Sequence, residues 1–269
     1  MGRNIGKMGS LRLTFLGTGT SLGVPIIGCS CEVCSSLDPK DKRLRASALI
    51  TTDKGTQICI DSGPDFREQM LREHIDKLDA VLITHEHRDH TAGLDDIRPF
   101  NYMQQRPMPI YGNKEAFAGL KKMFYYAFEQ SLYPGIPEFE LHEINPHNNE
   151  TIKFKELEII PVEVLHAKLP TLAYRIGKLA YVTDAKYIEP EQEAKLQGVD
   201  VLVVNALRKE EHFSHFNIDE AVALSRRINA KTTYLTHLSQ LIGPHETFQK
   251  ELPPNIFLAY DGLQIESEY

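Results

Sequence analysis

Cysteine is scarce in this chain, with four residues in 269. Three of them crowd together as Cys29, Cys31 and Cys34, a spacing that serves metal binding more often than disulfides in a reducing compartment. Cys59 alternates with apolar neighbours in Gln57-Ile58-Cys59-Ile60 and reads as a small buried hydrophobe. Long apolar runs are missing too, and none approaches the length that spans a bilayer. The stretch Met1–Ser10 has no apolar h-region, so it is not a secretory leader, and residues 1–10 are expected to fray. A cytoplasmic location follows. An excess of positive charge is also lacking: the formal net charge is −7. That balance argues against a nucleic-acid partner, whose phosphates demand clustered Lys and Arg. It favours a small substrate that meets its positive charge in bound metal. No fixed-period repeat, low-complexity tract or Gly/Ser linker divides the chain, so one domain over 1–269 is expected.

What is present is an ordinary globular mixture, 42% hydrophobic and 25% charged, long enough to bury a substantial core. Strand-like segments recur at Leu11–Leu16, Ala46–Thr52, Thr56–Asp61, Asp79–Thr84, Glu158–Leu165, Thr171–Ile176, Leu179–Thr183, Asp200–Asn205, Thr232–Thr236 and Asn255–Ala259. Helical patterns cover Asn113–Phe128 and Ile218–Ile228, with shorter ones at Asp65–Arg72 and Glu189–Leu196. Pro190 stands near the start of the last, where proline is tolerated. Early strands come in hairpin-like runs and later ones alternate with helices. This predicts an α/β (α+β) architecture of two packed sheets with helices outside, not one doubly wound sheet. The stretches Gln104–Pro109 and Leu132–Asn149 read as loops near the active face. Gly17-Thr18-Gly19-Thr20 lacks the third glycine of a dinucleotide fingerprint, Leu22 standing in its place, and reads as a tight turn feeding the cysteine loop of residues 28–45.

Residues 85–90 read His85-Glu86-His87-Arg88-Asp89-His90, directly after the apolar run Ala80–Thr84. A strand that ends in a loop fixes position and frees side chains, which is where α/β scaffolds carry chemistry. Imidazoles two residues apart can grip one metal from one side, leaving Asp89 and His90 for a second. With 11 histidines in the chain, three within six residues are hard to read as a chance polar loop. Other strand-like runs end in ligand-type residues: His166, Asp184 and His237. Any one of these alone is as well explained by a cap or turn. Together they supply the further ligands a dinuclear site requires.

On these residues the chain resembles the metallo-β-lactamase fold superfamily, whose HxHxDH signature stands here at 85–90. The resemblance covers nearly the whole chain and implies a four-layer αββα sandwich with metals at the rim between the sheets. It implies that His85, His87 and His166 hold one metal, that Asp89, His90 and His237 hold the other, and that Asp184 bridges them. Within the superfamily, Leu16–Ser21, Gly28–Cys34, Asp38-Pro39, Arg43, Arg45-Ala46-Ser47, Asp61–Arg67 and Ala259–Gly262 are similar to the PhnP-like branch, which contains a phosphoribosyl cyclic phosphate phosphodiesterase. In that branch three cysteines and a later histidine hold a structural zinc. Cys29, Cys31 and Cys34 match, but Gln240 stands at the histidine position, leaving His245 or water to complete a site.

The resemblance implies a dinuclear metal-dependent phosphodiesterase of a small, cyclic phosphodiester, with hydroxide bridging the metals. The imidazole and carboxylate set suits zinc, manganese or iron. His215 is expected to protonate the leaving alkoxide, His212 to orient His215 or hydrogen-bond substrate, and Asp89 to ligate metal and orient water; Asn217 can cap the following helix. Asp61 and Asp65 are candidates to orient ligating imidazoles. Arg98, Arg175 and Lys168 can meet phosphate or serve as ordinary surface charges or structural ion pairs. A homodimer is implied by resemblance. The competing readings are a tRNA 3′-processing nuclease, a thioesterase or lactonase, and a metal-binding accessory protein without turnover.

Overall fold

The computed structural model describes residues 9–129, 135–148 and 150–269. Two seven-stranded sheets form its centre. The first joins β1 (Ser10–Gly17), β2 (Ser47–Thr52), β3 (Gln57–Ile60), β4 (Ala80–Leu82), β5 (Met108–Gly112) and β6 (Phe139–Glu143). The second joins β7 (Ile152–Phe154), β8 (Leu157–His166), β9 (Leu169–Ile176), β10 (Leu179–Val182), β11 (Val201–Asn205), β12 (Thr232–Thr236) and β13 (Ile256–Leu258). A last strand, β14 (Gln264–Glu268), returns to the first sheet and pairs antiparallel with β1. In each sheet an antiparallel hairpin half passes into a parallel half, at β3–β4 in the first and β10–β11 in the second.

The period-2 alternation of the strands explains the layering. Leu11, Leu13, Phe15, Ile50, Ile58 and Ile60 face Ile159, Leu172, Tyr174, Ile176 and Tyr181 across the space between the sheets. On the outer face of the second sheet, Ile218, Ala221 and Val222 of helix Ile218–Ile228 cover Leu202, Val204 and Leu235. On the outer face of the first, Phe66, Met70, Phe117 and Leu120 cover Val81, Ile83 and Ile110. Each fully buried side chain of this size contributes about 1.5–3 kcal/mol. The result is the four-layer αββα sandwich expected from the sequence.

Several expectations need correction. Gly9 and Ser10 do not fray: Tyr269 donates its amide to Gly9 and Asp53 to Ser10. Residues 1–8 lie outside the described residues. The loop expected at Gln104–Pro109 ends early, because β5 begins at Met108. Pro109 is tolerated there because pairing with β4 begins only at Ile110, so no ladder bond is lost on that side. The loop expected at Leu132–Asn149 contains β6, an edge strand whose charged residues disguise its alternation; residues 132–134 and 149 of it are outside the described set. The helix expected over Asn113–Phe128 breaks at Phe124, with Asn113 capping its first turn through Ala116 N at 2.8 Å. Gly17–Thr20 is not a tight turn. It runs extended, bridging at Gly19 to Arg45 and Leu238, and the turn follows where Gly23 donates to Thr20. A Cβ at Gly17 would stand 2.0 Å from the Arg45 carbonyl oxygen, so close backbone approach demands glycine there.

One buried pin ties the segment after the cysteines to the C-terminal strands. Arg43 donates to Ala259 O at 2.6 Å, to Thr18 Oγ1 at 3.0 Å and to His245 Nδ1 at 3.0 Å. An arginine can donate only to an unprotonated ring nitrogen. Burial, and then Arg43 and Lys40, push His245 down to about 4. His245 therefore enters the native state neutral, and the unfolded chain takes the proton first as pH falls below about 6.5. Stability contributed at neutral pH is lost between roughly pH 6.5 and 4, by about 2 kcal/mol on going from pH 7.5 to pH 5. Urea midpoints at those two pH values should show this loss in the wild type and a smaller one in His245→Gln. Equal losses in both would refute it.

Candidate metal centre

The site forms where strands of both sheets end at a common rim. Asp61 follows β3, His85–His90 follow β4, His166 ends β8, Asp184 follows β10 and His237 follows β12. Three of these turns are made by non-glycine residues in the left-handed region: Asp61 at φ 60°, Asp184 at φ 55° and His237 at φ 56°. Ala167, after His166, joins them at φ 55°. Such residues carry backbone strain of order 1–3 kcal/mol each, held by the surrounding structure and concentrated at functional sites. Gly63 lets the loops meet, since a Cβ on it would lie 2.0 Å from Asp89 O.

All seven expected ligands come together. Donor atoms of His85, His87, His166 and Asp184 lie within 4.8 Å of one another, as do those of Asp89, His90, Asp184 and His237. Asp184 belongs to both groups. Its Oδ2 stands 3.6 Å from His85 Nε2 and 3.3 Å from His90 Nε2, and its Oδ1 stands 3.0 Å from His237 Nε2. His90 Nε2 and His237 Nε2 are buried with no hydrogen-bond partner, although carboxylate oxygens stand close by. His85 Nε2 and His87 Nδ1 face each other at 2.9 Å. Two buried ring nitrogens left without a partner amid converging donor atoms are the fit expected of a site that closes on cations.

The electrostatics agree. Burial lowers the proton affinity of His90, but Asp184, Asp89 and Asp61 outweigh it and hold the ring well above 6.5. Burial would raise Asp184, yet His237 and His90 keep it well below the usual carboxylate range. His85 is driven well below 6.5 by burial and by the charge of His90. Three carboxylates thus draw positive charge to the centre while His85 stays neutral with its lone pair available. This donor set of neutral imidazole and carboxylate fits divalent metals and leaves their identity open.

The orienting partners only partly match expectation. Asp61, fully buried, accepts from Thr84 N at 2.8 Å and Thr84 Oγ1 at 2.9 Å and pairs with His90 Nδ1 at 2.7 Å. Asp65 orients no imidazole; its carboxylate is taken by Arg45, through the backbone N and Nη1, both at 2.8 Å. Thr84 was legible only as the last residue of an apolar run, yet its hydroxyl lies 3.0 Å from His85 Nδ1. His166 Nδ1 meets Ser214 O at 2.9 Å, a backbone contact no residue type announces. Arg98 is tied to Asp95 at 2.6 Å, and Arg175 to the carbonyls of Gly177, Lys195 and Gln197, so both serve the fold. Lys168 is exposed two residues beyond His166 and forms no ion pair among the described residues. Asp61→Asn should weaken metal affinity about 10–100-fold, the usual cost of losing an outer partner. Metal competition titration checks it, and unchanged affinity would assign Asp61 to the fold alone.

His215 is buried with its ring centroid 4.5 Å from His166 and 4.8 Å from His237. His212 lies 5.2 Å from it and accepts from Ser214 Oγ at 3.2 Å. Asn217 and Glu220 close a capping box on the helix that follows, so the loop is both a helix start and the roof of the metal cluster. The sulfurs of Cys29, Cys31 and Cys34 also lie within 4.8 Å of one another, away from this cluster. His245 is not among them, because its Nδ1 is held by Arg43.

A model described as the beta-lactamase superfamily domain matches residues 56–238. The chain belongs to this superfamily. The crystal structure of a diphosphatase from the PhnP family superposes with a TM-score of 0.89 at 42% identity, covering 96% of this chain and 98% of that one. A Porphyromonas gingivalis protein named octanoyltransferase is 41% identical over 255 residues, 94% of this chain and 51% of that protein. This chain therefore spans about half of that relative's length. Ribonuclease Z of Methanopyrus kandleri is 25% identical, over 81% of this chain and 90% of its own. The PhnP-like resemblance holds, and the chain has the metallo-β-lactamase fold, a fold of metal-dependent hydrolases. No described helix is long and apolar enough to cross a membrane.

Proposed function

We propose that this protein hydrolyses a phosphoric ester or anhydride bond in a small phosphorylated molecule, a cyclic phosphodiester such as a phosphoribosyl cyclic phosphate being the leading candidate. The observation that carries this reading is the sharing of Asp184 between two ligand groups, with His215 packed against a histidine of each, His166 and His237. Two divalent metals held here would lower the pKa of bound water and neutralise charge developing on a phosphoryl group. His85, His87 and His166 would hold one, Asp89, His90 and His237 the other, and Asp184 would serve both. Asp61 fixes the tautomer of His90. His215 stands over the cluster to deliver a proton to the leaving oxygen, and Ser214 O keeps that loop registered against His166. Lys168, without an ion pair among the described residues, offers a cation to substrate phosphate.

The diphosphatase name of the structural relative favours a phosphoanhydride as a second substrate, which the same residues serve. The net charge of −7 weighs against a ribonuclease reading. Octanoyl transfer gains little support, because that name describes a protein of which this chain matches about half. The test is a panel presented to metal-loaded protein: bis(p-nitrophenyl) phosphate, a five-membered cyclic phosphate ester, a nucleoside diphosphate, an acyl thioester and a lactone. Turnover confined to the phosphorus substrates is expected. Turnover confined to the thioester or lactone would overturn the reading, and none at all with two metals bound would favour an accessory protein.

A further inference from the structure

The loop that carries His212 and His215 is closed at its base by backbone bonds. Leu207 donates its amide to Phe216 O at 3.0 Å, and Ile218 donates to Arg208 O at 3.1 Å. Two cations attend this loop. Lys186 is already committed: its Nζ lies 2.7 and 3.0 Å from the two carboxylate oxygens of Glu220, which also caps the following helix. Arg208 is not. Its Nη2 donates to Glu211 O at 2.8 Å, the carbonyl of the peptide that leads into His212. That bond accounts for one of the five donors a guanidinium carries.

The rest of the Arg208 head has no ion-pair partner among the described residues, and its Nε is buried without a hydrogen bond. The acid nearest in sequence, Glu211, has its carboxylate 3.9 Å from Lys186 instead. A charged donor left unpaired in a folded protein is costly and calls for a partner. The fork of a guanidinium matches phosphate oxygens better than any other common anion except a carboxylate.

The position of this charge gives it a use. Burial first, and then the charge of Arg208, hold His212 below its ordinary value, as expected of a guanidinium beside that ring. The His212 ring is 5.2 Å from His215, which packs on the metal-site histidines His166 and His237. Arg208 thus stands one ring beyond the proposed proton donor. Phe213, 77% exposed and 4.8 Å from the His212 ring, offers an apolar face between the two.

We propose that Arg208 forms a second anion subsite, which takes a non-reacting phosphate at the far end of the substrate. The site then selects molecules with two phosphorus groups over those carrying the scissile group alone. Binding leaves Nη2 on Glu211 O and engages the remaining donors, and no bond is made or broken. The inference rests on the hydrolytic reading for the place of the scissile group.

Calorimetry on the metal-loaded full chain provides the test, with ribose 1-phosphate and ribose 1,5-bisphosphate as probes. Wild type should hold the bisphosphate about tenfold tighter or more, the worth of one charge-assisted contact. In Arg208→Ala the two affinities should come within about threefold of each other. Arg208→Gln should behave alike, because it keeps a donor for Glu211 O and loses only the charge. Arg208→Lys keeps the charge without the fork and should fall between. Turnover of a ribose cyclic phosphate with and without a 5-phosphate should show the same preference, lost through KM rather than kcat. An equal loss of affinity for both probes would make Arg208 a strut of the loop and overturn the inference. A wild-type ratio preserved in Arg208→Gln would overturn it too, and leave the hydrolytic reading standing. Failure of both cyclic esters to turn over would instead count against the hydrolytic reading, while the affinity ratio, read without turnover, still decides the subsite.

Discussion

Asp184→Ala is expected to remove metal-dependent turnover of bis(p-nitrophenyl) phosphate by about 10³-fold or more, well beyond the 10–100-fold typical of an outer partner. The expectation rests on its position. Asp184 is the one residue common to both ligand groups, and it is 2% exposed. Its two oxygens face imidazoles on opposite sides, His85 and His90 from one and His237 from the other. Alanine removes the shared negative charge, so the imidazoles it faces lose their common counter-charge and two cations must repel one another with less between them. Metal content should drop below two per chain together with activity. Asp184→Asn separates charge from shape: it keeps the volume in the left-handed turn, which asparagine tolerates, yet cannot act as an anionic bridge. Both variants should fail. An asparagine variant with full metal content and near-normal turnover would remove Asp184 from the centre of the chemistry.

The ligands were legible because they stand at the ends of four apolar runs, and the HxHxDH spacing compresses four of the seven into six positions. The pattern that marks a strand therefore also marks where its functional residue stands. The partners were less legible. Asp61 could be anticipated as a carboxylate after a strand, but Asp65, four residues on, could not be told apart from it. What separates them is tertiary: Asp61 turns inward at φ 60° to His90, while Asp65 is captured by Arg45 from a segment distant in sequence. The same limit explains the missed elements. β6 and β14 are edge strands, paired on one side only, and carry the charged residues that edges need, which blurs the alternation by which strands are found. Lys168, Arg98 and Arg175 looked equivalent as phosphate-binding candidates. Local ion pairing and carbonyl contacts, invisible in sequence, withdraw the two arginines.

His215→Ala should discriminate between substrates by leaving group. With an alkoxide leaving group the loss should be about 10²–10⁴-fold, the range of general acid catalysis, whereas p-nitrophenolate leaves without a proton and should lose under about tenfold. The protein's charge arrangement makes a specific pH signature follow. Burial first, and then His237 and His166, push His215 down to about 3, so the ring is neutral at physiological pH before substrate arrives. A neutral imidazole is a poor acid. Its Nδ1 is buried without a partner, so no protein acceptor stabilises a proton there. An anionic phosphate brought beneath the ring supplies the missing counter-charge and raises its proton affinity. The acid form consequently exists chiefly in the complex, and kcat on an alkyl leaving group should fall as pH rises through the complex's His215 value. That basic limb should vanish in His215→Ala and be absent for p-nitrophenyl substrates in both proteins. The pairing of proton to substrate charge also protects against waste: without a phosphate in place, no proton is poised over the metals to be delivered. A basic limb of identical position in His215→Ala would assign the proton to another group, with His212, whose ring lies 5.2 Å away and is half-buried, next in line.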